Sequence, residues 1–135
     1  MSKTIRIFLA EDNPADVDLV KVALHEYHID HELLLASDGQ EARRFIESMG
    51  TADSPCPDLI MLDLNLPLVS GHELIVEFRQ HPLCLKTPII VVTSSDSRRD
   101  REHSAQLGAR YFRKPSDLGE FLQLGAVVRE AANAA

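Results

Sequence analysis

Side chains capable of phosphoryl chemistry stand where predicted strands end. Glu11 and Asp12 follow the first predicted strand, Asp63 the third, Thr93 the fourth and Lys114 the fifth. In doubly wound α/β folds the ligand crevice lies beyond the carboxyl ends of the strands, so these side chains are expected to share one crevice. Three carboxylates in a small crevice repel one another unless a cation neutralises them, and an all-oxygen set suits Mg²⁺. The sequence therefore predicts a Mg²⁺ site.

This combination of residues is suited to phosphoryl transfer. Asp63 is the candidate nucleophile, Lys114 and the metal would neutralise the phosphoryl oxygens, and the Thr93 hydroxyl would donate a hydrogen bond. The sequence has neither GxxxxGK(S/T) nor GxGxxG, so the donor must bring an activated phosphoryl group, and a phosphohistidine would serve. Each residue alone is weak support, because Asp after a strand is more often a turn or N-cap residue. Their occurrence at successive strand ends carries the interpretation.

Hydrophobic patterning predicts the elements that position these residues. Apolar runs predict five strands, at 5–10, 32–36, 59–62, 89–92 and 110–113. Helical spacing of apolar residues and capping-box pairs predict five helices that alternate with the strands. The fourth helix, between Ser97 and Leu107, is almost wholly polar and is expected to be the most loosely held. This alternation predicts an α/β fold with a parallel sheet covered on both faces, in one domain spanning 1–135.

Composition and charge restrict the class of protein. The 135 residues are 44% hydrophobic and 26% charged, which is typical of a globular protein. The net charge of −7, with no basic cluster longer than Arg98-Arg99, argues against direct binding of nucleic acid. No apolar run approaches the roughly 20 residues that span a bilayer, and the start has no signal-peptide pattern. We therefore expect a cytoplasmic protein with no membrane partner.

The cysteines and a group of histidines are predicted to have no chemical role. Cys56 and Cys84 belong to no CxxC pair and are expected to be reduced thiols, since a chain of this length folds without disulfides. His25, His28 and His31 recur every three residues, but they straddle a helix end and a strand start, which should splay them apart. Solvent-facing histidines are therefore favoured over a metal site.

Four motifs together resemble the receiver domains of two-component response regulators. They are the acidic pair within AEDNP (10–14), the phosphoacceptor loop LDLNLP (62–67) followed by Gly71, VTS (92–94) and RKP (113–115). The resemblance covers the chain from about Ile5 to the end of the last helix. It implies a flavodoxin-like, CheY-like fold: a doubly wound five-stranded parallel sheet with strand order 2-1-3-4-5 and five helices.

The resemblance also implies roles for the crevice residues. Mg²⁺ would bind Asp12 and Asp63, with Asn65 adding a backbone carbonyl and Glu11 contributing through water. A histidine kinase would phosphorylate Asp63. The protein would then not be an enzyme in the usual sense but a phosphoacceptor that catalyses its own phosphorylation and dephosphorylation.

A signalling switch follows from the same resemblance. Thr93 and Tyr111 would report phosphorylation to the face formed by the fourth helix, the fifth strand and the fifth helix. Core packing is the other interpretation of Tyr111. The family's Lys-Pro bond is typically cis, so Lys114–Pro115 is expected to be cis.

Three further features are similar to the small stand-alone regulators that are paired with bacterial phytochromes. They are the long loop before Cys56, the LDLNLP sequence and the absence of an output domain within the 135 residues. The partner that this similarity implies is a histidine kinase of the bacteriophytochrome type.

The last helix carries more apolar residues than one buried face needs. The extra residues repeat at helical spacing and are Leu124, Val127, Val128 and Ala131. They predict a homodimer through this face, and the alternative is that they widen the stripe facing the core.

Other functions fit parts of the pattern. A Mg²⁺-dependent phosphatase of the haloacid dehalogenase type also attacks through a strand-end Asp, but it usually needs a second acid where Asn65 stands. Its nucleophile also normally follows the first strand, whereas Asp63 follows the third. A binding-only pseudo-receiver would usually lack the acidic pair, the Asp or the Lys. Within the receiver class, a phosphate sink or a phosphorelay intermediate is the alternative to a signalling output.

Overall fold

The protein is built on one parallel sheet, seen in a computed structural model that describes residues 3–50 and 54–134. Within these residues five strands lie in the order β2-β1-β3-β4-β5. The strands are β1 (Ile5–Ala10), β2 (His31–Ala36), β3 (Leu59–Leu62), β4 (Ile89–Thr93) and β5 (Arg110–Arg113). Adjacent strands are all parallel. The predicted α/β fold and strand order are confirmed.

The helices alternate with the strands. They are α1 (Pro14–Glu26), α2 (Gly39–Ser48), α3 (Gly71–Gln80), α4 (Arg98–Gln106), α5 (Leu118–Phe121) and α6 (Leu124–Ala134), with one 3-10 turn at Pro82–Cys84. The last predicted helix is therefore interrupted after Phe121, and α5 and α6 are its two parts. None of the helices in the described segments combines the length and the apolar character needed to cross a bilayer.

Two apolar cores cover the two faces of the sheet, because successive strand residues point to opposite sides. Phe8 and Ala10 of β1 belong to the core under α2 and α3, whereas Ile7 and Leu9 belong to the core under α1 and α6. The same alternation runs through β3 and β4, whose residues are all buried. A central sheet buried on both faces explains why these strands are apolar throughout.

Helix starts are specified locally by side-chain caps. Asp38, Ser70 and Asp117 each accept a hydrogen bond from the backbone N–H three residues later, at 2.8, 3.3 and 2.9 Å. Ser97 caps α4 in the same way. Helix α4 buries only Ser104 of its nine residues, so packing holds it less than the other long helices.

The prediction of reduced cysteines is wrong, because Cys56 and Cys84 are joined by a disulfide. Cys56 lies in the segment that enters β3, and Cys84 ends the 3-10 turn that follows α3. The fold brings their Cα atoms to 5.8 Å, within the range that a disulfide spans, although 28 residues separate them in sequence. Sequence spacing alone could not reveal this proximity.

The prediction of a free dimer face on the last helix is also wrong. Leu124, Val128 and Ala131 are 0%, 0% and 1% exposed, and they pack in the core with α1 and the sheet. Val127 is partly buried against the same core. Leu124, Val128 and Ala131 therefore widen the core stripe, because α6 packs against α1 and the sheet, and they are not available to a partner.

The Lys114–Pro115 bond is trans, so the expectation of a cis bond is wrong. A trans bond before proline is intrinsically favoured by about 0.5–1 kcal/mol. With the trans bond, the Lys114 side chain lies at the carboxyl end of the sheet, in contact with Asp63.

The burial of α6 predicts how two leucine substitutions differ. Leu124→Ala should lower the free energy of unfolding by about 2–5 kcal/mol, because it leaves a cavity in the core. Leu118→Ala, at a side chain that is 56% exposed, should lower it by less than about 1 kcal/mol. Urea denaturation at several protein concentrations measures both. A Leu124→Ala effect that shrinks as the protein is diluted would instead indicate a subunit interface, because association stabilises the unchanged protein only at the higher concentrations.

Candidate active site at the carboxyl edge of the sheet

The strand register brings the acidic residues together. Ala10 at the end of β1 pairs with Leu62 at the end of β3, so Glu11 and Asp12 leave the sheet beside Asp63. Glu11, Asp12 and Asp63 each offer a carboxylate oxygen, and these oxygens lie within 4.8 Å of one another. The structure thus assembles the acidic group that the strand ends predict. Glu11 and Asp63 are buried and Asp12 is exposed.

Lys114 lies at the centre of a network of carboxylates. The backbone N–H of Lys114 donates to the Thr93 carbonyl at 2.7 Å, which fixes the residue at the end of β5 beside β4. Its Nζ lies 2.7 Å from Glu11 Oε1 and 2.9 Å from Asp63 Oδ2. The side chain is only 11% exposed, so the ammonium acts inside the crevice rather than in bulk solvent.

Asp16 is a third partner of Lys114 that the sequence interpretation missed. Its Oδ2 lies 2.7 Å from Lys114 Nζ, from a position in the first turn of α1. Asn13 caps this helix by accepting a hydrogen bond from Ala15 N at 2.9 Å. An acidic residue in the first turn of a helix interacts favourably with the helix dipole. From sequence alone, this interaction is a sufficient explanation of Asp16.

Burial and charge shift two pKa values in this crevice. Burial raises the pKa of Glu11 to about 7, although its hydrogen bond with Lys114 acts in the opposite direction. Burial alone would lower the pKa of Lys114, but its hydrogen bonds with Asp16, Glu11 and Asp63 outweigh this and raise the pKa above its usual value. Lys114 therefore stays a cation at any physiological pH.

The loop after β3 holds Asp63 by its backbone. Asn65 N donates to Asp63 Oδ1 at 3.0 Å, and Gly71 N donates to the Leu64 carbonyl at 3.0 Å. A Cβ on Gly71 would lie 2.4 Å from the Asp63 carbonyl oxygen, which is backbone and cannot move aside easily. Only glycine allows α3 to start this close to Asp63.

The donor set fits a hard divalent cation. All the available ligand atoms are oxygens, and Mg²⁺ prefers carboxylates, carbonyls and water. Asp12 is the exposed member of the acidic group, so a metal there would keep access to solvent and to phosphoryl oxygens. Glu11, Asp12 and Asp63 have carboxylate oxygens close enough together to hold such an ion.

Ser95 connects the other two predicted residues, Thr93 and Tyr111. Thr93 is fully buried, and its Oγ1 accepts a long hydrogen bond of 3.4 Å from Ser95 N. The Tyr111 hydroxyl donates to the Ser95 carbonyl at 2.8 Å, and the Ser95 hydroxyl donates to Asp100 Oδ2 at 2.6 Å. The Arg101 guanidinium stacks over the Tyr111 ring, 4.5 Å from its centroid. Hydrogen bonds through Ser95 therefore connect Thr93 with α4 and β5.

The histidines near the end of α1 border one recess. His25, His28 and His31 line this open recess of about 500 Å³ together with Ile29 and Asp30. The chain between His25 and His31 turns at His28, whose φ of 54° is left-handed. Their ligand atoms do not form a group of three within 4.8 Å in the described part of the chain.

Comparison with known proteins places this arrangement in a family. The profile of the response regulator receiver domain matches residues 7–125. Response regulator Rcp1 of Synechocystis sp. is 38% identical over 120 residues, which are 87% of this chain and 82% of that protein. The chain therefore belongs to the response regulator receiver domain family.

Solved structures agree with this assignment. The phosphorylated cyanobacterial phytochrome response regulator RcpA superposes with a TM-score of 0.86 at 33% identity, covering 98% of this chain and 97% of that one. The Mn²⁺-bound form of Rcp1 gives a TM-score of 0.82 at 35% identity, covering 93% and 92%. The bacteriophytochrome response regulator AtBRR gives 0.72 at 28% identity, covering 96% and 93%. The chain is thus homologous to regulators associated with phytochromes.

Repulsion within the acidic group predicts an unusual response to charge removal. Asp12→Asn should raise the free energy of unfolding by about 1 kcal/mol in metal-free buffer, because it removes one of three clustered like charges. The same substitution should abolish the extra stability that millimolar Mg²⁺ gives the unchanged protein. Asp18→Asn, on an exposed part of α1, is the matched control. Thermal unfolding with EDTA or Mg²⁺ measures both effects, and equal Mg²⁺ stabilisation of all three proteins would contradict the metal site.

Proposed function

We propose that this receiver is phosphorylated on Asp63 by a histidine kinase, with Mg²⁺ bound beside it. We propose also that it signals through the face formed by α4, β5 and the last predicted helix, whose two parts are α5 and α6. We further propose that residues 1–135 act as a single receiver domain. The observation that carries the proposal is the 2.9 Å contact of Lys114 Nζ with Asp63 Oδ2, inside a group of three carboxylates. A carboxylate paired with a buried cation beside a metal site is suited to accept a phosphoryl group.

In the transfer step, a carboxylate oxygen of Asp63 attacks the phosphorus of a phosphohistidine. The new P–O bond forms as the P–N bond breaks, and the imidazole of the donor leaves with the electron pair of that bond. Asn65 N and Lys114 Nζ each hold one carboxylate oxygen, which limits rotation of the Asp63 side chain before attack.

Lys114 and Thr93 supply the groups that would stabilise the phosphoryl oxygens. Lys114 stays protonated because its pKa is raised, so its ammonium can exchange a carboxylate partner for a phosphoryl oxygen. The Thr93 hydroxyl oxygen accepts from Ser95 N, which leaves the O–H able to donate to a new acceptor. When bound, Mg²⁺ would neutralise further negative charge on the phosphoryl group.

The signal would leave through Ser95. A dianion on Asp63 attracts the Thr93 hydroxyl, and movement of Thr93 loosens its hydrogen bond with Ser95 N. The Ser95 carbonyl and hydroxyl hold Tyr111 and Asp100, so β5 and the first turn of α4 respond together. Because α4 buries little surface, a modest change in free energy can shift its population of conformations.

The partner kinase that we propose is a phytochrome-type sensor. The homology to Rcp1, and the similarity to RcpA and AtBRR over almost the whole chain, support this choice. A phosphate sink or phosphorelay intermediate would use the same chemistry at Asp63. The Ser95 connections favour an output, since a simple sink needs no path from Thr93 to α4.

A phosphatase of the haloacid dehalogenase type is not favoured. Such an enzyme usually has a second acid two residues after the nucleophile. That position is Asn65 here, and it holds Asp63 through its backbone N–H. The match to the receiver family covers residues 7–125, so it includes all the crevice residues from Glu11 to Lys114.

The central test is formation of an aspartyl phosphate. Incubated with Mg²⁺ and a small phosphodonor such as acetyl phosphate, the protein should gain one phosphoryl group that is stable in acid and labile in base. Asp63→Asn should abolish the gain, whereas Asp18→Asn should leave it unchanged. Mass spectrometry of the intact protein measures the added phosphoryl group in each variant. Rapid turnover of many phosphomonoesters would indicate a phosphatase, and an unmodified protein would indicate a binding-only receiver.

Separation of phosphorylation from signalling is a second test. Thr93→Val keeps the shape of the side chain and removes the hydroxyl, so the protein should still bind beryllofluoride with Mg²⁺ at Asp63. Hydrogen exchange of residues 98–106 should change on beryllofluoride binding in the unchanged protein and should change much less in Thr93→Val. An equal change in both proteins would exclude Thr93 as the link to α4.

A further inference from the structure

The Cys56–Cys84 disulfide lies at the opposite end of the sheet from Asp63. Cys56 precedes β3, whereas Asp63 follows it, and all the strands are parallel. The bond joins the segment that enters β3 to the 3-10 turn at Pro82–Cys84. It therefore contributes nothing directly to the crevice, and its position calls for a separate explanation.

The two sulfur atoms differ in exposure. Cys84 is fully buried, and its Sγ lies 3.8 Å from Met49 Sδ. Cys56 is only partly buried, and its Sγ lies 3.1 Å from Thr87 Oγ1. A small thiol therefore reaches Cys56 Sγ more readily than Cys84 Sγ. Exchange would begin by attack at Cys56, with the Cys84 sulfur as the leaving atom.

Arg79 connects the disulfide-bonded turn to the end of α4. Its Nη1 donates to the Thr87 carbonyl at 2.6 Å and to the Cys84 carbonyl at 3.5 Å. Its Nε donates to the Leu107 carbonyl at 3.1 Å, and its Nη2 donates to the Gly108 carbonyl at 3.2 Å. One guanidinium thus joins the segment anchored by Cys84 to the turn that ends α4.

This connection matters because α4 has few other anchors. Among the residues of α4 only Ser104 is buried, where its hydroxyl meets His72 Nε2 at 3.1 Å. A cation at a helix C-terminus satisfies carbonyls that have no partner within the helix and interacts favourably with the helix dipole. Arg79 provides this cation, and the carbonyls of Cys84 and Thr87 keep its guanidinium in place.

We propose that Cys56 and Cys84 are a redox-active pair, modified by a low-molecular-weight thiol and its disulfide, and that their oxidised state holds α4 through Arg79. The inference goes beyond phosphorylation of Asp63 and does not rest on it. The redox inference is tested by the mobility of α4 in unphosphorylated protein. It can therefore fail while the proposed function holds, and the proposed function can fail while the redox inference holds.

The exchange reaction balances with two equivalents of thiol. A glutathione-type thiolate attacks Cys56 Sγ, the protein S–S bond breaks, and its electron pair goes to Cys84 Sγ, which takes up a proton. A second thiolate attacks the glutathione sulfur of the mixed disulfide and releases the Cys56 thiolate, which is protonated in turn. The products are two protein thiols and one low-molecular-weight disulfide, and oxidation is the reverse.

Reduction removes a covalent tie across 28 residues, so the turn at Pro82–Cys84 gains freedom. The Cys84 and Thr87 carbonyls then hold Arg79 less firmly, and Arg79 holds the Leu107 and Gly108 carbonyls less firmly. Helix α4 is expected to open more often. The phosphoacceptor crevice, at the other edge of the sheet, keeps its contacts.

The first measurement is the redox state of the full chain. The protein is equilibrated at several ratios of reduced to oxidised glutathione, alkylated with iodoacetamide and weighed by mass spectrometry. We expect no alkyl groups at the oxidising end and two at the reducing end, in one cooperative step. Two alkyl groups at every ratio would overturn the proposal.

The second measurement is hydrogen exchange at residues 98–109 in both redox states. Reduction should speed exchange there several-fold, while residues 59–62 of β3 should change little. Cys56→Ser should match the reduced protein in either buffer, and this variant is preferred because Cys84 is wholly buried. Equal exchange at 98–109 in the two redox states of the unchanged protein would overturn the coupling to α4.

Two arginine variants test the route. Arg79→Gln should still form the disulfide, yet its α4 should exchange rapidly in both redox states. Arg44→Gln, at an exposed arginine of α2, should keep the redox difference of the unchanged protein. A full redox difference in Arg79→Gln would assign the coupling to another path and refute the role of Arg79.

Discussion

The structure depends on the attraction between one buried ammonium and the carboxylates around it. Lys114 Nζ lies within 2.9 Å of oxygens from Glu11, Asp16 and Asp63. Without a cation, three acidic groups at one sheet edge would repel one another, and burial would favour their protonated forms. Burial raises the pKa of Glu11 more than the nearby Lys114 lowers it. This excess of carboxylates attracts Lys114 and is suited to a metal ion. Either cation would neutralise negative charge on a phosphoryl group.

The parallel sheet makes this arrangement possible. The pairing of Ala10 with Leu62 and of Thr93 with Arg113 sets the strand ends side by side, so residues that are far apart in sequence meet in one crevice. Thr93 ends β4 and accepts a hydrogen bond from Ser95 N. From there, hydrogen bonds lead to Tyr111 and Asp100 and so to α4. The crevice residues and this hydrogen-bonded connection to α4 therefore lie at the same end of the sheet.

Residues at strand ends could be predicted from sequence, because parallel strands deliver their carboxyl ends to one place. Asp16 could not, since its contact with Lys114 depends on how α1 leaves the sheet. The disulfide was missed because the path between Cys56 and Cys84 runs through β3 and α3, and only the fold closes that distance. The apolar face of α6 was misassigned because the spacing of apolar residues does not show that α6 packs against both α1 and the sheet. The peptide geometry at Pro115 was likewise not encoded in the motif.

The most direct test of the central claim is a crystal structure of the protein grown with Mn²⁺ and beryllofluoride, with the metal located by anomalous scattering. We expect one strong peak between the carboxylates of Asp12 and Asp63 and the Asn65 carbonyl. We also expect beryllium bonded to an Asp63 oxygen, with Lys114 Nζ in contact with a fluoride. A metal bound elsewhere, or an Asp63 carboxylate without beryllofluoride at saturating concentration, would contradict that claim.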